Sequence, residues 1–294
     1  MVAEVTDKPL LRRRLERALA GGDRRAAFLM EHVVADVAER LLGVERRFPL
    51  AAAHGGQTEG LAQALSGSGK VGEVFRLEAT DAAFRDASFR GAVGDEEALP
   101  FGPGTLDLFV STLMLQWTND LPGALLQIRQ ALKPDGLFLA AMTGGSTLAE
   151  LREALVAAET EIRGGAGPRV IPTADTRDLG ALLQRAGFAL PVADRDVVTV
   201  RYDSAFGLLR DLKAMGATSA LAERQRRPPG RRLFLRAAEI YAERFSDADG
   251  RVRASFEIVS LSGWAPHASQ QKPARRGSGQ VSLAAVLGRE KPNG

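Results

Sequence analysis

Residues 106–145 read LDLFVSTLMLQWTNDLPGALLQIRQALKPDGLFLAAMTGG, and the order of patterns within them decides the fold. Leu106–Thr112 is a nearly continuous apolar run of strand length, as expected for a parallel strand covered on both faces. Residues 121–132 then carry apolar side chains at helical spacing and stop at the breaker Lys133-Pro134-Asp135-Gly136. Another apolar run of strand length, 137–142, follows at once. Strand, helix and strand in this order make a βαβ unit with a right-handed crossover, and therefore a parallel sheet.

The same alternation extends outward. Upstream, 48–53 is a short apolar run ending in His54-Gly55-Gly56, and a helix over 58–65 is stopped by Ser66-Gly67-Ser68-Gly69. Residues 71–77 have strand character, 82–87 suit one or two helical turns, and 89–93 is a brief extended piece. Two helices, 10–20 and 28–42, come first, the second with Val33, Val37 and Leu41 on one face. Downstream, a helix is expected over 147–162, with Thr147 and Glu150 spaced as a capping box, and another over 178–186 closed by Gly187. The strands 197–202 and 256–261 suit an antiparallel edge hairpin interrupted by a helical insertion. The expected class is α/β, a doubly wound, mostly parallel seven-stranded sheet. A helical extension (1–46), a core (47–203), a helical insertion (204–250) and a last strand with its tail (251–294) would divide the chain.

Composition narrows the function classes. The 294 residues include no cysteine, which removes disulfides, thiolate metal sites and a cysteine nucleophile, and makes cytoplasmic residence the simplest expectation. No stretch approaches the ~20 apolar residues that cross a bilayer. The net charge of +3 is spread along the chain except for one basic run, 224–236. That run holds a single aromatic, Phe234, so it lacks the stacking residues of a nucleic-acid surface, and no nucleic-acid partner is expected. His32, His54 and His267 form no metal-ligand spacing, and neither a GxSxG elbow nor a P-loop is present.

In a doubly wound sheet the ligand lies beyond the carboxyl ends of the strands, where strand order reverses. Gly55 and Gly56 stand at the first such end, either to let the backbone approach a nucleotide or to make a tight turn through positive φ. Glu78, after the second strand, is either an acceptor for ribose hydroxyls or a solvated carboxylate. Asp95 and Glu96, ahead of Leu99 and Phe101, are placed to accept from an exocyclic amine of adenine, or are merely solvated. Gln116-Trp117 either borders a substrate or plugs the core.

Taken in order, the glycine turn, the acid after the second strand, 95–101 (DEEALPF) and 106–145 resemble the class I S-adenosylmethionine-dependent methyltransferases. Residues 107–136 are the most specific part. They are similar to the malonyl-carrier-protein methyltransferases of biotin synthesis. They resemble more closely the complex I assembly factors that hydroxylate an arginine on a subunit of NADH:ubiquinone oxidoreductase. The second likeness continues through 48–51, 144–152, 158–161, 178–188 and 273–278, and spans about 10–288. It implies a Rossmann-like methyltransferase fold and S-adenosylmethionine held by Gly55, Gly56, Glu78, Asp95 and Glu96, with Leu113 and Gln116 on the opposite wall. It also implies a protein substrate such as a complex I subunit. The departure from the family lies in the loop, where HGGQTE replaces an LGCGxG-like run. Gln57 and Glu59 stand where small residues belong, and Glu59 would set a negative charge near the methionine carboxylate unless it turns away. Three readings follow: a protein-modifying enzyme, a non-catalytic assembly scaffold, and a methyltransferase of small molecules or of a malonyl-loaded carrier protein. No residue is singled out as catalytic. Methyl transfer asks mainly for in-line placement, and hydroxylation needs an oxidant for which the sequence carries no iron triad or flavin motif.

Overall fold

In the computed structural model the central strands are buried on both faces because small and apolar residues alternate to fill both layers. The structure describes residues 4–55, 58–85, 87–225 and 229–271. Gly56, Gln57, the middle of the basic run (226–228) and the 273–278 tail segment lie outside the described residues. Seven strands form one sheet: β1 (Phe48–His54), β2 (Val71–Glu78), β3 (Gly91–Val93), β4 (Leu106–Thr112), β5 (Leu132–Thr143), β6 (Ala189–Tyr202) and β7 (Val252–Trp264). Their order is β3-β2-β1-β4-β5-β7-β6. The pairs among β1 to β5 are parallel, and β7 runs antiparallel to both β5 and β6. This is the doubly wound, mostly parallel seven-stranded sheet expected.

Alternation along β4 sends Leu108 and Val110 to one face and Phe109 to the other. The first face is covered by α2 (Phe28–Leu42), through Val33, Val37 and Leu41, and by α3 (Gly60–Gly67), through Leu61 and Leu65. α5 (Ala149–Arg163) and α8 (Arg231–Phe245) extend this layer through Ala154, Leu155, Ala237 and Ile240. The second face is covered by α4 (Leu121–Ala131) and α6 (Thr176–Arg185), whose Leu125, Ile128, Leu179 and Leu183 pack on Phe109 and Phe138. α7 (Ala205–Ala214) follows β6, and α1 (Lys8–Gly21) lies across the carboxyl edge of the sheet.

Three local expectations change. The 133–136 breaker does not end secondary structure; β5 begins at Leu132 and passes through it, with Asp135 at φ 65° and its N–H donating to Ala265 O at 3.0 Å. The capping box at Thr147 and Glu150 is not made. Thr147 Oγ1 instead donates to Glu257 O (2.9 Å) and accepts from Glu257 N (3.1 Å), and Glu150 accepts from Ser255 Oγ at 2.6 Å. Both side chains are claimed by β7, so α5 starts at Ala149 without a side-chain cap. The edge hairpin is longer than its two apolar cores, because β6 and β7 pair from Ala189–Trp264 through to Tyr202–Val252.

Candidate functional site

The order of the strands reverses between the parallel neighbours β1 and β4, so the cleft opens beyond His54 and Thr112. Gly55 has φ 78°, and its N–H donates to Leu77 O at 3.1 Å. A Cβ there would stand 2.2 Å from Met114 Cγ and 2.9 Å from Thr112 O. The position therefore requires glycine, but for a contact with the chain's own Met114. His54, just before it, is 1% exposed and has Nδ1 2.9 Å from Ser111 Oγ.

The structure brings Glu78, Asp95 and Glu96 to this same edge and gives each an internal partner. Glu78 Oε1 accepts from Arg76 Nη2 (2.9 Å) and Nε (3.3 Å), and Arg76 is itself 1% exposed. Lys8 Nζ, from the first turn of α1, donates to Glu96 and to Asp95 (3.2 Å), and lies 3.5 Å from Glu97 Oε2. Arg12, one turn further along α1, donates to Asp95 Oδ2 at 3.1 Å. Thr118 Oγ1 donates to Glu96 at 3.1 Å, and His54 Nε2 stands 3.7 Å from the other Glu96 oxygen. Burial acts to raise the Glu96 carboxyl, but the attraction of His54 and then Lys8 outweighs it and holds the group well below the usual carboxylate range. For Lys8 burial acts to lower the ammonium, and Glu96, Asp95 and Glu97 together raise it. Asp95, Glu96 and Glu97 also have a metal-like arrangement of oxygens, but Lys8 is seated among them.

Glu59 is among the residues lining the large cavity described next, and the chain itself engages its charge. Its carboxylate accepts from Ser88 N (2.6 Å), Phe89 N (3.2 Å) and Arg76 Nη1 (3.5 Å), which ties the start of α3 to the segment before β3. The charge expected near the methionine carboxylate is thus shared with Arg76 and two backbone N–H groups.

Leu113 and Gln116 lie on the other side, in the wall of a cavity of about 1760 Å³ between α1, α2, α5, α7 and α8. Small-molecule sites usually span ~300–1,000 Å³, so this space admits a segment larger than a cofactor. Its walls are mainly apolar, with Leu19, Val34, Leu155, Leu209, Phe234 and Phe256 prominent. Gln116 Nε2 donates to Leu113 O at 2.7 Å, while Gln116 Oε1, Thr173 Oγ1 and Ser219 Oγ are buried in the lining without a partner among the described residues. Trp117 is 8% exposed and packs with Leu11, Leu15, Met114 and Ala220. It is a core plug that also touches the cavity.

These positions test S-adenosylmethionine. The cofactor's adenosine half would need acceptors at Glu78, Asp95 and Glu96 and an open approach to Gly55. The acceptors face Arg76, Lys8 and Arg12, and Met114 covers the glycine. In the arrangement the chain adopts, the residues present do not fit the group. Sequence reading passed over Lys8, Arg12, Arg76 and Met114. Arg76 had a legible signal, since a strand residue two before Glu78 shares its face. Lys8 and Arg12 had only their spacing of four on a helix.

A match to the methyltransferase domain family covers residues 53–140, the half of the sheet that builds this cleft. YcgJ of Bacillus subtilis superposes with a TM-score of 0.55, over 79% of this chain and 99% of that one, at 15% identity, which bears on fold alone. Fold and cleft together define a methyltransferase-fold protein. Over the longer span the chain is 43% identical to the mitochondrial arginine-hydroxylase NDUFAF5 of Danio rerio, across 87% of this chain and 81% of the relative. The Homo sapiens protein of that name is 41% identical, across 87% and 75%. The chain belongs to this arginine-hydroxylase family. A malonyl-[acyl-carrier protein] O-methyltransferase of a Methylovorus strain is 34% identical across 92% and 93%.

Proposed function

We propose that this chain modifies a protein substrate, an arginine-bearing subunit of respiratory complex I, during assembly of that complex. The observation that carries the reading is the higher identity to the arginine hydroxylases, 41–43% over 87% of the chain against 34% over 92% for the O-methyltransferase. That identity runs well past the 53–140 stretch that any methyltransferase domain would share. It therefore takes in helices that wall the cavity, where a partner segment would enter. The cavity's size supports a peptide-sized occupant. An S-adenosyl ligand is the cofactor class that the domain family suggests, and the closed carboxylates oppose its ready binding. No helix among the described residues is long and apolar enough to cross a membrane. The relatives' names carry the word mitochondrial, so the compartment expected from composition alone, the cytoplasm, does not extend to them.

The test is deletion of the gene in its source organism, followed by mass spectrometry of every complex I subunit. Loss of an oxygen from one arginine, with a fall in assembled complex, is the expected result. Normal complex I with every modification unchanged overturns it. A second reading, an assembly scaffold without catalysis, is favoured by the internal pairing of Glu78, Asp95 and Glu96. It predicts lost complex with no modification lost. Methyl transfer to a malonyl-loaded carrier protein by the purified chain would instead favour the O-methyltransferase likeness.

A further inference from the structure

The adenine and ribose of a nucleotide offer N–H and O–H donors, and at this edge their acceptors would be carboxylates. An ammonium is also a set of donors, three of them, on a full positive charge. Lys8 directs its ammonium at Asp95, Glu96 and Glu97 together, and Arg12 adds a guanidinium on the far oxygen of Asp95. Charge-assisted hydrogen bonds are roughly twice as strong as neutral ones. Neutral nucleotide donors therefore cannot displace these cations on equal terms.

The segment that carries them is fastened to both banks of the cleft. Val5 N and Thr6 N donate to Asn119 Oδ1 at 2.8 Å, in the loop after β4. Asp7 pairs with Arg224 at 3.0 Å, and Arg14 donates to the Thr218 and Ser219 carbonyls, all in the segment after α7. Glu16 accepts from Thr80 Oγ1 at 3.2 Å, just past β2. Yet α1 buries only Leu11 and Leu15. A helix of 14 residues held by two leucines and a set of ion pairs belongs to the part of a structure that opens first.

We propose that α1 is a tethered competitor for the adenosine end of this chain's nucleotide pocket: with Lys8 and Arg12 on Asp95, Glu96 and Glu97 the pocket is shut, and an S-adenosyl ligand enters when the helix leaves. The inference rests on the cofactor class given above and not on the identity of the substrate. A partner that grips the 218–224 segment or α1 itself would then open the pocket, which couples cofactor loading to partner binding.

Titration calorimetry of the full chain with S-adenosylhomocysteine tests it, beside Lys8→Ala/Arg12→Ala and Lys8→Arg, each checked for folding by circular dichroism. The double variant should bind about tenfold more tightly or better, and Lys8→Arg should bind as weakly as the parent. Amide exchange on the unaltered chain gives an answer even if the double variant does not fold: the ligand should speed exchange across 8–21. Tight binding by the parent with slower exchange across 8–21 overturns the competitor and leaves the cofactor class standing. No binding by the parent or by the folded double variant removes both.

Discussion

The two wings of the sheet are buried by opposite means. Beyond β4 the packing is aromatic and apolar: Phe138 sits 6.3 Å from the Phe109 ring and 5.2 Å from the Phe188 ring, with Leu125, Ile128, Leu179 and Leu183 around them. At the carboxyl ends of β1, β2 and β3 the buried groups include the ionic or polar His54, Arg76, Glu78 and Glu96, none more than 3% exposed. Apolar burial stabilises in proportion to the area removed from water, whatever the detailed arrangement. Buried ion pairs return little net stability, because desolvation offsets their attraction, but they make one arrangement much better than its neighbours. The aromatic wing thus holds the fold, and the ionic wing determines whether the cleft is open or shut.

The largest effect should come from the aromatic wing. Phe138→Ala removes a ring at 0% exposure between two others and should cost about 4 kcal/mol in urea unfolding. A cost below about 1 kcal/mol would mean that this wing collapses onto the gap, and would break the contrast.

On the ionic wing, Arg76→Met leaves Glu78 buried without its cation and should cost about 3 kcal/mol. Arg76→Met/Glu78→Met should recover most of that, as no replacement of Phe138 by a smaller residue could. If the double variant is as unstable as the single one, the pair stabilises the fold in its own right. Acid tests the same wing without mutation. Glu96 faces Lys8, His54 and Thr118, beside Asp95 and Glu97, and its folded carboxyl lies below its unfolded value of 4.5. Its contribution is therefore full above about that pH and is lost as pH falls. Melting temperatures taken from about pH 6 down to about pH 3 should drop more steeply for the parent than for Glu96→Gln.

The contrast also explains what the sequence disclosed. Residues 106–145 were legible as strand, helix and strand because apolar periodicity is local, and both cores follow from it. The ends of β1, β2 and β3 likewise put Gly55, Glu78, Asp95 and Glu96 on one edge before any coordinates. Their internal partners were hidden for a physical reason. Lys8 reaches Asp95 across 87 residues of chain, and no pattern within a window of sequence encodes such a pair. Thr147 and Glu150 show the reverse error, since a correct local motif lost its groups to β7, more than a hundred residues away. Polar side chains with few hydrogen bonds to make go to whichever partner the tertiary fold brings nearest.

Gly55→Ala probes the seam between the wings. The new methyl meets Met114 and the Thr112 carbonyl at positive φ, so a cost of about 2 kcal/mol is expected. Adding Met114→Ala should return the share due to the side-chain clash and leave the backbone share. No recovery would place the whole cost in the backbone and free Met114 from any part in closing the approach.

The smallest effect, and the one that bears most directly on the altered loop, belongs to Glu59. Glu59→Gln keeps an acceptor for Ser88 N and Phe89 N but removes the charge that Arg76 shares, so it should cost only about 1 kcal/mol. Glu59→Gly removes the acceptor too and releases the 87–90 segment from α3, which exchange of the Ser88 and Phe89 amides would report. If those amides exchange no faster in Glu59→Gly than in the parent, the segment is held by β2 and β3 alone. The departure from the family's glycine loop would then have no structural use, and the negative charge would matter only for what it keeps out of the cleft.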